Sequence, residues 1–179
     1  MNTYILKEKD IDSYYNFVIK DSSGIEESKM KIGIMALEEY ELEEAKKVSK
    51  IGDCLILEYD GKLLPFQVIH KKPGNTVILS SYYVLDNHIF DEKSNVWRDS
   101  SIRKYMNNDM SKKFDPEVLK LVKTSKVHTD NYVTEDKFWL LSHEEIGYKD
   151  KNNMFKKNIG AEVFDYYKNQ CNQTDTKEG

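Results

Sequence analysis

Two periods of hydrophobic and polar positions alternate along this chain, and the switches between them mark its elements. Ile11, Tyr14, Tyr15 and Val18 fall at i, i+3, i+4 and i+7, which predicts a helix with Asp10 as N-cap. Lys31 to Met35 fits a short strand. Leu37, Tyr40, Glu41 and Glu44 return to helical spacing, with Leu42 and Ala45 beside them, and predict a helix over 38–50. Its acids come early and Lys46, Lys47 and Lys50 come late, as the helix dipole favours. Ile51-Gly52-Asp53 turns the chain into two apolar runs, Cys54 to Tyr59 and Lys62 to His70, around Asp60-Gly61. Asp-Gly between apolar runs predicts a tight hairpin, and Pro65 in the second arm predicts an edge or a bulge. A turn at Lys72-Pro73-Gly74-Asn75 leads to a third strand, Thr76 to Ser80, which completes an antiparallel meander.

Tyr82 to Phe90 is aromatic and irregular. Asp99 or Ser100 caps a helix over 101–110. Asp115-Pro116-Glu117 opens another, with Asp as N-cap and Pro at the first helical position. Lys126 to His128 fits a short strand, and Lys137 to Leu141 reads as the last strand, ending in a Ser142-His143-Glu144-Glu145 cap. Glu162 to Lys168 fits a helix, and the polar run 169–179 reads as a flexible tail. The expected fold is α+β. A small antiparallel sheet, the meander 54–80 plus the strand 137–141, packs with several short helices. The expected division is a helical N-terminal extension over 1–48, an α+β domain over 49–168 and the tail.

Composition narrows the function classes. Hydrophobic residues at 39% are enough for a core in a chain of 179 residues, and charged residues at 32% give it a wet surface. A net charge of -4, with basic clusters diluted by acids, disfavours direct nucleic-acid binding. No run nears the roughly 20 apolar residues of a membrane span, and no leader is visible, so the expected setting is cytoplasmic and reducing. Cys54 and Cys171 are too few for a disulfide scaffold or a cysteine zinc site, and Cys54 sits in an apolar run as a core residue.

Candidate chemistry is sparse. His70, His88, His128 and His143 lack metal-site spacing. His143 beside Glu144 and Glu145 is the most suggestive, and a weaker metal set is His88 with Asp86 and Asp91, but the structural role outweighs both. Arg103 is placed to pair with Asp99, four residues earlier on one helix face. Trp97 is expected to pack on the sheet, with Arg103 held by carboxylates or carbonyls. One of Phe138 and Trp139 faces the core by alternation, which leaves the other as a surface anchor. No nucleophile motif or phosphate loop is present, so no catalytic residue, metal or cofactor is expected. The strongest charge feature is the set Glu38, Glu39, Glu41, Glu43 and Glu44, expected as the wet face of a helix and, functionally, as a surface that competes for a basic groove on a partner.

Five pieces in order carry a resemblance. They are Ile51-Gly52-Asp53, Phe66-Gln67-Val68-Ile69, Val77 to Tyr82, the run from Trp97 through Asp99, Ser100 and Arg103 to Asn107, and Asp136 to Glu145 with Ser142 inside it. Over a little more than half the chain this resembles a bacterial and phage domain family of unknown function. Complete members continue with a Trp-Trp-Leu-Arg-Ser-Pro strand and a Gly-Val-Arg-Pro-Ala segment, and look similar to C-type-lectin-like domains. Neither segment is in this sequence, so the resemblance implies a truncated lectin-like relative. The N-terminal extension would then cover the sheet edge left open, or a homodimer would.

The resemblance implies that Trp97, Asp99, Ser100, Arg103, Asn107, Asp136 and Ser142 hold the fold. It also implies phage or mobile-element origin. The function expected is therefore a non-catalytic protein-binding protein that inhibits a host defence nuclease of the CRISPR type through the Glu38–Glu44 face. The alternatives are a lectin-like recognition module of a phage tail or cell surface, and an unrecognised metal-dependent hydrolase.

Overall fold

A computed structural model describes residues 2–15, 37–81, 84–85, 87–129, 131–148 and 160–175. The strand expected over 31–35, the second half of the helix expected from Asp10, and Asp86 lie outside the described residues. The chain divides into two compact units, Met1–Val84 and Leu85–Gly179. The fold is α+β, with a five-stranded antiparallel sheet, a separate two-stranded sheet and several short helices.

The first unit is built on the five-stranded sheet. Its strands are β1 (Asn2–Leu6), β2 (Glu38–Glu41), β3 (Cys54–Tyr59), β4 (Lys62–Lys72) and β5 (Thr76–Ser80), in the spatial order β2-β1-β3-β4-β5. The meander is as the sequence predicts. Asp60 and Gly61, both at positive φ (51° and 72°), make the two-residue turn between β3 and β4. Pro65 pairs with Ile56 on the β3 side, while pairing to β5 begins only at Gln67. Its missing N–H therefore costs no ladder bond. The bulge in β4 falls later, between Val68 and His70.

The N-terminal segment differs from the helical extension expected for 1–48. Tyr4-Ile5-Leu6 pairs with Ile56-Leu55-Cys54, which puts β1 inside the sheet, between β2 and β3. Glu38–Glu41 then pairs with Ile5–Asn2 as an outer strand, and the helix starts only at Leu42 as α2 (Leu42–Val48). The backbone edge of β1 accounts for this: its N–H and C=O groups need a partner, and Glu38–Glu41 supplies it. In α2, Leu42 and Ala45 are buried at i and i+3, and Lys71 Nζ closes the far end by donating to the carbonyls of Lys47 (3.1 Å) and Ser49 (2.6 Å).

Consecutive residues of β1 and β3 are buried, so both faces of the sheet centre are covered. On one face Tyr4, Leu6, Cys54 and Ile56 gather with Tyr14 of α1 (Ile11–Tyr14), and Ile11, Leu37 and Leu63 pack against them. Asp10 caps α1 in position but makes no side-chain cap bond. Burial pushes the Cys54 thiol up to about 12, helped by the charges of Asp53 and Glu8, so it sits in the core as an un-ionised thiol.

The second unit holds more helix than strand among its described residues. It contains α3 (Ser101–Tyr105), which widens into a π-type turn over Met106–Met110, then α4 (Pro116–Leu121), β6 (Ser125–Thr129), β7 (Tyr132–Asp136) and α5 (Asp165–Asp175). Asp115 caps α4 as predicted, its side chain accepting from Glu117 N at 2.7 Å. β6 and β7 form the two-stranded sheet. The strand thus ends at Asp136, and 137–141, expected as the last strand, is not in a sheet. The polar run after Lys168 is not all tail either. With no Gly or Pro to stop it, α5 continues to Asp175.

Gly160 shows how tightly the chain approaches itself here. It has φ +89°, and a Cβ on it would lie 2.8 Å from His128 Nδ1 on β6. Gly61 also needs positive φ but has open space around it. Gly160→Ala is therefore expected to cost about 2–4 kcal/mol, from backbone strain plus overpacking against a stiff ring. Gly61→Ala is expected to cost about 1–2 kcal/mol, from backbone conformation alone. Urea denaturation of the two variants beside the wild type measures both, and equal costs would refute the close approach.

Candidate functional site

The polar residues predicted to matter fall into two places, a buried network in the second unit and an exposed acidic strip in the first. The network starts where α3 starts. An α-helix leaves its first four N–H groups without partners inside the helix, and here each has one. Ser100 N donates to the Trp97 carbonyl (3.1 Å), Ser101 N to Asp91 Oδ2 (2.7 Å), Ile102 N to the Phe90 carbonyl (3.1 Å) and Arg103 N to Ser100 Oγ (3.2 Å). Of the two candidate caps, Ser100 is the N-cap, and it is fully buried. Asp91 also accepts from Lys93 N (2.7 Å) and Ser94 N (2.9 Å). These backbone donors, Lys93 first, pull its carboxyl down to about 2. The metal role considered for Asp91 with His88 gives way to this backbone role. His88 stacks on Tyr105, with ring centroids 4.0 Å apart.

Asp136, at the end of β7, is the centre of the network. Its carboxylate accepts from Arg103 Nε (2.8 Å), Trp97 Nε1 (3.0 Å) and Thr134 Oγ1 (2.6 Å). It is 3% exposed. Arg103 also donates through Nη1 to the Arg98 carbonyl (3.0 Å). Arg103 is therefore held by one carboxylate and one carbonyl, but the carboxylate is Asp136 and not the expected Asp99. Asp99 is exposed and takes both bonds from its neighbour Arg98, 2.9 and 2.8 Å long. That adjacent guanidinium lies closer than Arg103 and also sits over the Tyr132 ring, 3.8 Å from its centroid. Trp97 is buried and contributes its indole N–H to the same carboxylate.

Asn107, in the π-type turn, explains why 137–141 is not a strand. Its Oδ1 accepts from the N–H of Lys137 (3.0 Å) and Phe138 (3.2 Å), and its Nδ2 donates to the Phe138 carbonyl (2.8 Å). One amide side chain does for this segment what a neighbouring strand would do. Without a strand there is no alternation, so Phe138 and Trp139 are both half-buried and neither is the exposed anchor the sequence suggested. Phe138 stacks on Phe114, and Trp139 Nε1 donates to Glu145 Oε1 (3.3 Å).

Ser142 and Glu145 form a reciprocal cap around one helical turn. Ser142 N donates to Glu145 Oε2 (2.8 Å), and Glu145 N donates to Ser142 Oγ (3.3 Å). The turn closes with Tyr148 N on the His143 carbonyl and Gly147 N on the Glu144 carbonyl, while the His143 and Tyr148 rings pack together. His143 thus has a structural place at the end of a turn. Glu145 is buried, and burial raises its pKa against the lowering effect of its hydrogen bonds. Its carbonyl accepts from Phe164 N (2.9 Å), which anchors the segment leading into α5. The spacing of Ser142 and Glu145 announced this cap. Thr134 carried a signal too, since it lies two residues before Asp136 on the same strand face. Among the described residues no group of three or more His, Cys, Asp or Glu side chains could hold a metal ion.

The five glutamates of the acidic strip are exposed, but they do not share one helix face as expected. Glu38, Glu39 and Glu41 lie on the outer strand β2, and Glu43 and Glu44 lie in the first turn of α2. Glu39 accepts from Asn2 Nδ2 (2.7 Å), and Glu38 accepts from the Tyr40 hydroxyl, which raises that phenol's pKa. Glu43 and Glu44 pair with Lys46 (2.8 Å) and Lys47 (3.9 Å) one turn on.

The family described as a domain of unknown function, DUF6273, matches residues 73–179, more than half the chain. The chain belongs to this family. The DUF6273 match opens in the β4–β5 turn, later than the resemblance drawn from Ile51, and takes in β5 and the whole second unit with its Asp136 network. The acidic strip lies ahead of it. No curated protein and no solved structure matches the chain. No helix among the described residues is long and apolar enough to cross a membrane.

Two sets of variants test this geometry. Asp136→Ala leaves Arg103 and Trp97 without their acceptor and is expected to cost about 3–5 kcal/mol, whereas Asp99→Ala removes only an exposed pair and is expected to cost far less. Chemical denaturation followed by circular dichroism ranks them, and the opposite order would overturn Asp136 as the centre. The second test is pH. The lowered Asp91 carboxyl stabilises the fold above the ordinary carboxylate range, and this is lost as pH falls from about 4 toward about 2. Asp91→Asn is expected to flatten that loss. The raised Glu145 carboxyl has the opposite sign, so the wild type is expected to lose stability relative to Glu145→Gln as pH rises through the carboxylate range. Thermal melts at stepped pH read both slopes.

Proposed function

We propose that this chain is a non-catalytic protein-binding protein that presents an acidic face to a basic groove on its partner. The observation that carries the proposal is the exposed run Glu38, Glu39, Glu41, Glu43 and Glu44, which passes from an outer strand into the helix after it. The exposed Glu44–Lys47 pair contributes little on its own surface, so exchanging it for a partner's cations costs little. The carboxylates of Asp136 and Glu145, in contrast, are spent on holding backbone and neighbouring side chains together.

In its narrower form, the proposal makes the chain a phage or mobile-element inhibitor of a host defence nuclease. Such nucleases hold nucleic acid in a positively charged channel that an acidic face would occlude. The lectin-like relationship suggested by the order of motifs supports a different narrower reading, a recognition module of a phage tail or cell surface.

The test is capture of partners from a host lysate by tagged protein, with and without nuclease treatment. It runs wild type beside a variant with all five glutamates changed to lysine, folding being checked by circular dichroism. The expected result is one stoichiometric, nuclease-independent protein partner. Its binding weakens as salt rises and falls roughly tenfold or more on charge reversal. Capture that survives the reversal rules the acidic face out, and recovery of glycans or phage structural proteins favours the recognition module.

A further inference from the structure

We draw no further inference here: the strongest candidate, the uncharged outer edge of the five-stranded sheet along β5 (Thr76–Ser80), is an apolar strand edge, and nothing among the described residues shows what covers it.

Discussion

The second unit depends on one buried carboxylate. Asp136 ends a two-stranded hairpin, and a lone hairpin is marginal in water. What fixes it is the convergence of Arg103 and Trp97 on Asp136, from the helical turn at 97–99 and the start of α3. Burying a charge is costly unless its lone pairs are filled. Here three donors fill them, two of which lie more than 30 residues away in sequence. The helix start is itself closed by Ser100, Phe90 and Asp91, so the donors arrive on a rigid element. Asn107, one turn beyond Arg103, carries the same helix onward to the backbone after β7.

The first unit is held by a different force. Its sheet is covered on both faces at β1 and β3, and its polar groups serve mainly at the ends of elements, as Lys71 does at the end of α2. Apolar burial is non-directional. It selects the strands but leaves their order to the backbone's need for partners. Hence Glu38–Glu41, rich in acid and poor in apolar residues, becomes a strand because β1 has an edge to satisfy.

What was legible in the sequence was local. The Asp60-Gly61 turn, the Asp115-Pro116 cap and the Ser142–Glu145 spacing each act within a few residues, and each lies where the sequence places it. The α+β class followed from the same signals. β1 was illegible because a five-residue strand with no flanking turn signal earns its place only by pairing with Cys54–Ile56, some 50 residues on. The segment 137–141 has the composition of a strand, but the backbone of its first two residues, Lys137 and Phe138, bonds to the Asn107 side chain, which no periodicity reveals. The motifs single out Trp97, Asp99, Ser100, Arg103, Asn107, Asp136 and Ser142 as one set. That Arg103 chooses Asp136 over Asp99 depends on a long-range approach that spacing does not encode.

The glutamates of β2 have one more consequence. An outer strand is a template on which sheets of separate molecules can grow into aggregates. Strand pairing of two copies along this one brings their glutamates close, as when Glu38 of one lies opposite Glu41 of the other, like charges facing across a ladder. Like charges at these positions disfavour growth of a sheet along that strand. Lysines in their place would repel one another equally well, whereas alanines would leave the template bare. Of the two ways to erase the acidic strip, only inversion of its charge keeps that repulsion.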